Sequence, residues 1–429
     1  MGKSPNSMNK KTNKIISSLL VFVSIVTSFA LGFFMRGLFV PHSVGITSDV
    51  VIIIVSVGFI IDPVTGQPRE LTDQDYVNAI SSGILDKYSR YYTPEEYEKF
   101  TKEKSGSYEG FGVSFVGESN VIFSVNGNSP LDCVGVQSGD VVSGLRLEGG
   151  QTVNINSSKD VGDFLKANEN CNTVTFIINQ TFEYTVTKKQ YKVSYVTYYD
   201  NATKLCFRQD ESGALVKTIT QSDKMSGLSD DTGYIKFDHF EADSATQFMT
   251  ALTYMLDSGK TKLIFDLRNN GGGMMNVLTE MASCLIYNGV KKSSLVTKTQ
   301  TKITDGSYYT GANKFDQRLE KIVVLANENT ASASECLIGA MLCYGDKFSK
   351  DKADLVIEKN ADGIAKTYGK GIMQTTYLLK NGGAFKLTTG RVLWPDEQTC
   401  IHGTGIVVEG QNAVTKEQAI LRATQILSN

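Results

Sequence analysis

The sequence predicts an α/β core with an inserted β-rich domain and an N-terminal transmembrane helix. Residues 15–35 form a run of 21 uncharged, mostly apolar residues. Short alternating apolar runs separated by Gly, Asn and Ser fill residues 105–185 and are typical of a small β domain. From residue 186 to 429, strand patterns alternate with longer helical ones, which is typical of an α/β layer with a partly parallel sheet.

The apolar run at 15–35 is long enough to cross a bilayer, since a helix of that length spans the ~30 Å hydrocarbon core. Residues 1–36 hold five basic residues and no acid, and the positive-inside rule therefore places the 1–14 tail in the cytoplasm. Ser28-Phe29-Ala30 also fits a cleavage site, so a cleaved signal peptide is the alternative. Because the run continues to Met35, it favours an uncleaved signal anchor. Either way, the body is exported.

Charge and residue usage exclude several classes of function. The net charge is −2, and the basic first 36 residues leave −7 on the remainder, so no basic footprint for nucleic acid exists. Seven cysteines show no CxxC spacing and no HExxH motif occurs, so neither a metal nor a cofactor is expected. A serine–histidine triad is not excluded by counting, but His42, His239 and His402 are interpreted as structural.

Residues 36–104 predict a linker and a small helical segment. The run at 50–61 is too short to cross a membrane and predicts a buried strand or core helix. Helical spacing follows at 76–88, and a second helix opens with Thr93 as N-cap, Pro94 at the first position and Glu96 three after the cap. A further helix is predicted at 161–167 within the β-rich domain.

In the core, the predicted elements follow each other in a regular order. Strands are predicted at 233–237, 262–267 and 321–326, and helices at 245–256, 274–287 and 332–344.

Ser332 lies where a buried strand ends and a helix begins. A hydroxyl there adjoins backbone N–H groups that lack intrahelical partners and could hold an anionic oxygen. The alternative is an ordinary helix N-cap, for which serine is common.

Lys370 stands between two glycines with apolar neighbours, so that it could be drawn into a partly dry site. Burial lowers a lysine pKa by up to ~3–5 units, which leaves a useful neutral fraction at neutral pH. The alternative is an exposed turn lysine. A glycine-rich turn at 271–273 allows close approach of a ligand, as in a phosphate-binding loop, but no Gly-Lys-Ser/Thr follows it.

Six motifs in order resemble the C-terminal processing peptidases, also called tail-specific proteases. In chain order they are YSRYYTPEEY at 88–97, GSYEGFGV at 106–113, DLRNNGGG at 266–273, NENTASASE at 327–335, YGKGIMQ at 368–374 and IHGTGI at 401–406. The resemblance covers roughly residues 75–410. It implies a crotonase-like or ClpP-like layered core at 186–429 and a PDZ domain at 105–185.

The resemblance also implies roles for individual residues. Ser332 matches the nucleophile, Lys370 the general base and Gln374 the residue that orients the lysine. Gly272 or Gly273, together with Ala333, match the oxyanion donors, and the peptide-binding turn of the PDZ domain would comprise Gly110, Phe111, Gly112 and Val113. Ser332 and Lys370 lie 38 positions apart, more than is usual in the family, and the polar stretch 347–366 is interpreted as a surface loop insertion.

The function so implied is a membrane-anchored extracytoplasmic serine endopeptidase that acts on proteins recognised by their C-termini. Cys343 stands where many members carry an aspartate, which casts doubt on an accessory carboxylate but not on the dyad. A catalytically silent, membrane-tethered PDZ scaffold and a crotonase-like acyl-transfer enzyme are the alternatives. The physiological substrate and a homo-oligomeric state stay open.

Overall fold

The computed structural model describes residues 59–61, 68–70, 85–200, 205–209, 215–220, 227–287, 293–302 and 304–428, in two units that divide after Leu85. In the first unit, strands β1 (Phe59–Ile61) and β2 (Pro68–Glu70) pair antiparallel. The predicted membrane span at 15–35 and nearly all of the helical spacing at 76–88 lie outside the described residues. Within those residues, no helix has the length and apolar character needed to cross a membrane.

The second unit begins with strand β3 (Arg90–Tyr92) and helix α1 (Pro94–Lys104). Thr93 caps this helix as predicted: its Oγ1 accepts from the N–H of Glu96 at 3.2 Å, and the Glu96 carboxylate accepts from the N–H of Thr93 at 3.0 Å. Pro94 occupies the first turn, where no N–H is needed. The predicted helix start is therefore confirmed.

A β-rich region follows, with a core of its own. Its elements are β4 (Ser107–Gly110), β5 (Val113–Phe115), β6 (Ile122–Val125), α2 (Pro130–Cys133), β7 (Val142–Arg146), β8 (Val153–Asn154), α3 (Ser158–Ala167), β9 (Thr173–Ile178), β10 (Phe182–Thr187) and β11 (Lys189–Lys192). One sheet has the order β10-β9-β7-β8, while β5 pairs with β6 and β4 with β11. Phe111, Leu145 and Phe176 are buried in its core. The predicted helix at 161–167 is part of α3.

The described part of the remaining chain contains the larger sheets and four further α-helices. Its strands are β12 (Val196–Asp200), β13 (Leu205–Gln209), β14 (Leu215–Thr220), β15 (Thr232–Phe237), β16 (Lys262–Asp266), β17 (Leu295–Thr301), β18 (Asp305–Tyr309), β19 (Lys321–Ala326), β20 (Leu355–Glu358), β21 (Ile372–Leu378), β22 (Ala384–Leu393) and β23 (Ala413–Val414). Its helices are α4 (Ser244–Asp257), α5 (Met275–Leu285), α6 (Ala333–Tyr344) and α7 (Ala419–Ser428).

The central sheet has the order β14-β13-β12-β15-β16-β19-β20-β23 and is parallel from β15 onward. Strands β16 and β19 are buried on both faces, which explains their continuous apolar sequence. Phe265 and Val324 pack in the core that contains α4, α5 and α6, while Ile264 and Val323 pack on the other face against α7. The predicted α/β layer with a partly parallel sheet is therefore confirmed.

The stretch 347–366 is not the surface loop that the sequence indicated. It contains β20, whose Leu355, Val356 and Ile357 are buried and which pairs parallel with β19. The prediction was wrong because this strand has only four residues and has charged residues on both sides. The average hydropathy of the whole stretch is therefore polar, although the strand itself is apolar. The extra length between Ser332 and Lys370 thus includes a strand of the central sheet.

A second, antiparallel sheet has the order β18-β17-β22-β21, and β3 pairs with β22 as well. Strand β21 begins at Ile372, two residues after Lys370. The second sheet therefore fixes the backbone that follows the lysine, while the central sheet fixes the backbone that precedes Ser332.

Candidate active site

Ser332 has a backbone conformation that is rare outside glycine. It lies between the end of β19 and the start of α6, with φ 57° and ψ −116°. Such a positive φ costs of the order of 1–3 kcal/mol and persists only where the surroundings hold it. Here the backbone oxygen of Asn270 accepts from the N–H of Ala331 at 2.9 Å and from the hydroxyl of Ser334 at 3.0 Å. The turn that contains Asn270 therefore fixes the residues on both sides of Ser332 through hydrogen bonds.

The turn after β16 lies in direct contact with Ser332. A Cβ on Gly272, whose φ is 92°, would lie 2.7 Å from both the carbonyl oxygen of Ala331 and the nitrogen of Ala333. Only glycine permits this approach. Asn270 holds this glycine turn in place. Its side-chain oxygen accepts from the N–H of Gly272 at 2.9 Å, and its side-chain NH₂ donates to the carbonyl of Phe237 at 2.8 Å.

The three predicted oxyanion donors differ in their hydrogen bonding. The N–H of Gly272 is already bound to Asn270. By contrast, the described residues provide no acceptor for the N–H of Gly273 or of Ala333. Ala333 is the first residue of α6, where backbone N–H groups lack intrahelical partners. Of the three predicted donors, Gly273 and Ala333 thus keep free N–H groups within the described structure.

The carboxylate of Glu335 joins the serine and lysine segments. Its Oε2 accepts from the N–H of Ser332 and from the N–H of Lys370, each at 2.9 Å. The two backbone nitrogens are therefore no more than 5.8 Å apart, twice that distance. Its Oε1 accepts from the N–H of Gly369 at 2.7 Å and from the hydroxyl of Thr367 at 2.5 Å. The structure thus brings together two residues that are 38 positions apart in the chain.

Glu335 is fully buried, and burial raises its pKa because a buried carboxylate loses hydration. The hydrogen bonds from Thr367, Lys370, Gly369 and Ser332 oppose that effect, because each stabilises the ionised form. All four donors point at one carboxyl group. A carboxylate is needed here because each of its oxygens accepts two hydrogen bonds.

Lys370 is half-buried, which rules out the alternative of an exposed turn lysine. Burial lowers its pKa below the ordinary value, and the nearby charge of Lys104 lowers it further, while Tyr368 acts in the opposite direction. Its Nζ lies 5.4 Å from the centroid of the Tyr88 ring. Among the residues that the structure describes, no hydrogen bond joins this Nζ to Oγ of Ser332. The two backbones are adjacent through Glu335, and the two side chains are not hydrogen-bonded to each other in the described structure.

Gln374 follows in β21, directly after a bulge between Met373 and Gln374. Its Nε2 is buried and has no hydrogen-bond partner in the described part of the chain. No hydrogen bond to Lys370 is present either. A buried side-chain amide without a partner is costly, so this group is available to a neighbour or a ligand.

The closing motif at 401–406 packs against the lysine segment. The N–H of Gly403 donates to the carbonyl of Gly369 at 2.9 Å, and the N–H of Ile406 donates to the hydroxyl of Thr367 at 2.7 Å. His402 is exposed, and its ring lies 6.2 Å from that of Tyr88. Neither His402 nor His239 is hydrogen-bonded to Ser332 in the described structure, and burial lowers the pKa of His239.

A buried ionic network supports the glycine turn from the side of the central sheet. Arg268 donates to Asp266 at 2.6 Å and to Glu358 of β20 at 2.6 Å, and the Tyr234 hydroxyl also donates to Asp266. Burial opposes ionisation of Asp266, but the charge of Arg268 holds the pKa of Asp266 below its usual value. The network links β15, β16 and β20 directly below the turn.

Sequence reasoning gave no role to Asn270, Glu335, Thr367 or Arg268. Three of them stand inside the motifs that carried the resemblance, and the polar character of Asn270 and Glu335 beside buried elements was the available signal. Their partners, however, lie up to 90 residues away along the chain. Spacing alone does not reveal such contacts.

The predicted peptide-binding residues form a turn between β4 and β5. The carbonyl of Gly112 accepts from Asn126, and that of Phe111 accepts from Leu131, while the N–H groups of Phe111 and Gly112 have no acceptor among the described residues. Gly112 has φ 87°, and a Cβ there would lie 2.0 Å from Cβ of Ser129. Phe111 is buried against Phe176, their ring centroids 5.1 Å apart. The turn thus presents backbone donors on a fixed support.

Comparison with known proteins agrees with this arrangement. Residues 231–409, which contain the glycine turn, Ser332, Glu335 and Lys370, match the sequence profile of peptidase family S41. This part of the chain is thus similar to the S41 peptidases. The resemblance to the C-terminal processing peptidases, which the motifs indicated, is therefore confirmed.

Two staphylococcal proteins, each named "Probable CtpA-like serine protease", are similar to this chain. That of Staphylococcus aureus strain N315 is 25% identical over 332 residues, covering 77% of this chain and 58% of the relative. That of Staphylococcus haemolyticus strain JCSC1435 is 26% identical over 347 residues, covering 80% and 60%. The chain thus spans less than two thirds of the length of these relatives.

A solved structure described as "Putative S41 protease from Bacteroides fragilis NCTC 9343" has the same fold. It superposes with a TM-score of 0.51 at 13% identity, covering 91% of this chain and 99% of that one. At such low identity the match concerns the fold alone, and it supports the layered α/β architecture.

Proposed function

We propose that this chain is a membrane-anchored serine endopeptidase of the C-terminal processing type, which cleaves extracytoplasmic proteins through Ser332 and Lys370. The single observation that carries the proposal is the Glu335 carboxylate, which binds the N–H groups of both residues through one oxygen. It supports a site in which a hydroxyl and a half-buried amine work together.

The nucleophile in this proposal is the hydroxyl of Ser332, which needs a base to react. Lys370 serves as that base in its neutral form, whose population rises because burial and Lys104 lower the lysine pKa. Its side chain must swing from the Tyr88 ring to Ser332. That movement requires only side-chain torsions, because Glu335 already fixes both backbones.

The acyl-transfer step then follows from the geometry. Nζ of Lys370 takes the proton of Ser332 as Oγ attacks the scissile carbonyl carbon, and the oxygen that becomes anionic is held by the N–H groups of Gly273 and Ala333. The C–N bond breaks, and the lysine ammonium gives its proton to the leaving amine. Water then hydrolyses the acyl-enzyme with Lys370 again as base.

Gln374 is proposed to position the lysine in its active rotamer. Its buried side-chain amide without a partner and its place four residues after Lys370 support this role. A hydrogen bond from the lysine amine to the side-chain oxygen of Gln374 in the acylation-competent state would hold the lysine and leave its lone pair free for the serine proton.

Substrate recognition is proposed to use a PDZ domain at residues 105–185. The free N–H groups of Phe111 and Gly112 support binding of a C-terminal carboxylate at the turn that comprises Gly110, Phe111, Gly112 and Val113. An extended peptide tail would then continue along β5.

The cellular place is proposed from the sequence: residues 1–14 inside, 15–35 in the membrane and the body outside. Protease added to intact cells should digest the body and leave a membrane-bound fragment that contains the N-terminus. A body that stays protected until the cells are lysed would contradict this arrangement.

The decisive experiment compares the wild-type full chain with Ser332→Ala and Lys370→Arg on an unfolded protein and on a peptide with a free C-terminus. The wild type should cleave both. Neither variant should, because alanine has no nucleophile and arginine does not deprotonate at neutral pH. Cleavage by Ser332→Ala at the wild-type rate would overturn the proposal, as would binding of the peptide by the wild type without any cleavage.

A further inference from the structure

Lys386 is a half-buried ammonium group without an anionic partner. It lies in β22, in register with Arg90 of β3, and its Nζ is 5.9 Å from the centroid of the Phe100 ring. In the described structure, no carboxylate lies within ion-pair distance of it and no acceptor binds its N–H groups. A buried charge is normally paired, because loss of hydration is costly.

The surroundings of Lys386 carry the same charge. Lys104 also points at the Phe100 ring, with its Nζ 5.6 Å from the centroid, and the charges of Lys370, Lys104 and Arg90 all act on Lys386. Burial, followed by these three cations, lowers the pKa of Lys386. The nearby acid Glu241 is already bound to Lys104. Among the described residues, no unpaired anion therefore lies beside Lys386.

The cluster adjoins the catalytic lysine. The charge of Lys370 acts on Lys386, and Lys104 acts on both lysines. Repulsion among part-buried cations destabilises a fold, and natural proteins accept such a cost mainly at functional or strained sites. A ligand group with negative charge would remove the repulsion and satisfy the donors of Lys386.

We propose that Lys386 binds a carboxylate of the substrate polypeptide and so makes the site selective for acidic substrates. The proposal rests on the peptidase function above. The carboxylate is either an aspartate or glutamate side chain near the scissile bond or the free C-terminus of a short substrate. A hydrogen bond between an ammonium and a carboxylate is strong in a partly dry site, because little water competes with it.

The test uses the full chain and pairs of peptides that differ in one residue, Glu or Gln, at each position around the scissile bond. A second pair differs only in a C-terminal acid or amide. The quantity compared is the ratio of kcat/KM within a pair, so that a general loss of activity cancels. At one position the wild type should prefer the acidic peptide about tenfold, which corresponds to about 1.4 kcal/mol.

Lys386→Gln should reduce that ratio to about twofold or less, while Lys386→Arg should keep most of it. Lys380→Gln is the matched control, because it removes the same charge from an exposed position beyond β21, and it should keep the wild-type ratio. If the lost preference belongs to the Glu/Gln pair, the ligand is a side chain. If it belongs to the acid/amide pair, the ligand is the C-terminus.

Two results would overturn the proposal: a wild type that shows no preference at any position, or a preference that Lys386→Gln retains in full. Binding of the same fluorescent peptides to Ser332→Ala, measured by anisotropy, separates this failure from failure of the peptidase function. A Lys386-dependent preference in binding, without cleavage by the wild type, would support the carboxylate subsite and refute the peptidase. Cleavage by the wild type without any Lys386-dependent preference would support the peptidase and refute the carboxylate subsite.

Discussion

The two sides of Lys370 differ in how their charges are satisfied. On one side, Glu335 is a fully buried anion that accepts four hydrogen bonds. On the other side, Lys386 is a half-buried cation with no partner among the described residues. The satisfied side fixes the backbone of the site, and the unsatisfied side leaves a place for a ligand. A preorganised frame beside an open, charged subsite is what selective catalysis requires.

The largest effect should come from weakening the satisfied side. Glu335→Gln keeps the shape but turns an NH₂ group toward backbone N–H groups, so that buried donors lose their acceptors. The free energy of unfolding should fall by about 3 kcal/mol. The kcat should fall at least about a hundredfold, because the serine and lysine segments shift relative to each other.

Thermal unfolding and kcat measured on the same preparation separate these two effects of Glu335→Gln. A variant that is folded at the assay temperature and still lacks activity supports the positioning role. Wild-type kcat in that variant would contradict it, since the serine and lysine segments would then hold their places without the carboxylate.

The next largest effect should come from Gly272→Ala. Its Cβ would meet the Ala331 carbonyl and the Ala333 nitrogen at 2.7 Å, and the φ of 92° adds strain. Activity should fall about ten- to a hundredfold, with a loss of stability of about 1–3 kcal/mol. Gly271→Ala is the matched control, because a Cβ there meets no atom within 4 Å. Equal effects of the two substitutions would contradict the close contact.

A smaller effect should come from the open side through Lys104. The base is active when neutral, so activity rises with pH through the pKa of Lys370, and the charge of Lys104 lowers that pKa. Lys104→Gln should therefore raise the pKa of Lys370. The substitution also leaves the negative charge of Glu241 unpaired, which acts in the same direction. The rising limb of the kcat–pH profile should therefore move to higher pH, with activity reduced at neutral pH and recovered at alkaline pH.

The control for Lys104→Gln is the double variant that also carries Glu241→Gln, in which no unpaired acid remains. It should show a smaller shift in the same direction. A limb that stays in place, or moves to lower pH, would show that Lys104 does not act on the base.

The local elements were predictable from the sequence, and the contacts between distant segments were not. The start of α1 is fixed by interactions within three residues, among Thr93, Pro94 and Glu96. The continuous apolar runs of β16 and β19 predict buried strands. Motif order likewise identified the serine and lysine segments. What the sequence lacked was long-range geometry.

Three corrections and omissions show this limit. The short strand β20 was hidden by its charged neighbours. The N–H of Gly272, expected to be a candidate oxyanion donor, is bound to a side chain two residues before it. The role of Glu335 depends on donors 32 to 35 residues further along the chain. Each of these features depends on contacts that form only when the chain has folded.

The central claim is that a neutral Lys370 activates Ser332, and the rate of covalent labelling of Ser332 by a fluorophosphonate tests it most directly. Labelling should rise with pH along a limb below the ordinary lysine pKa, and it should be lost in Lys370→Arg. Peptide mapping must place the label on Ser332. Labelling of Lys370→Arg at the wild-type rate and with the wild-type pH profile would contradict the account.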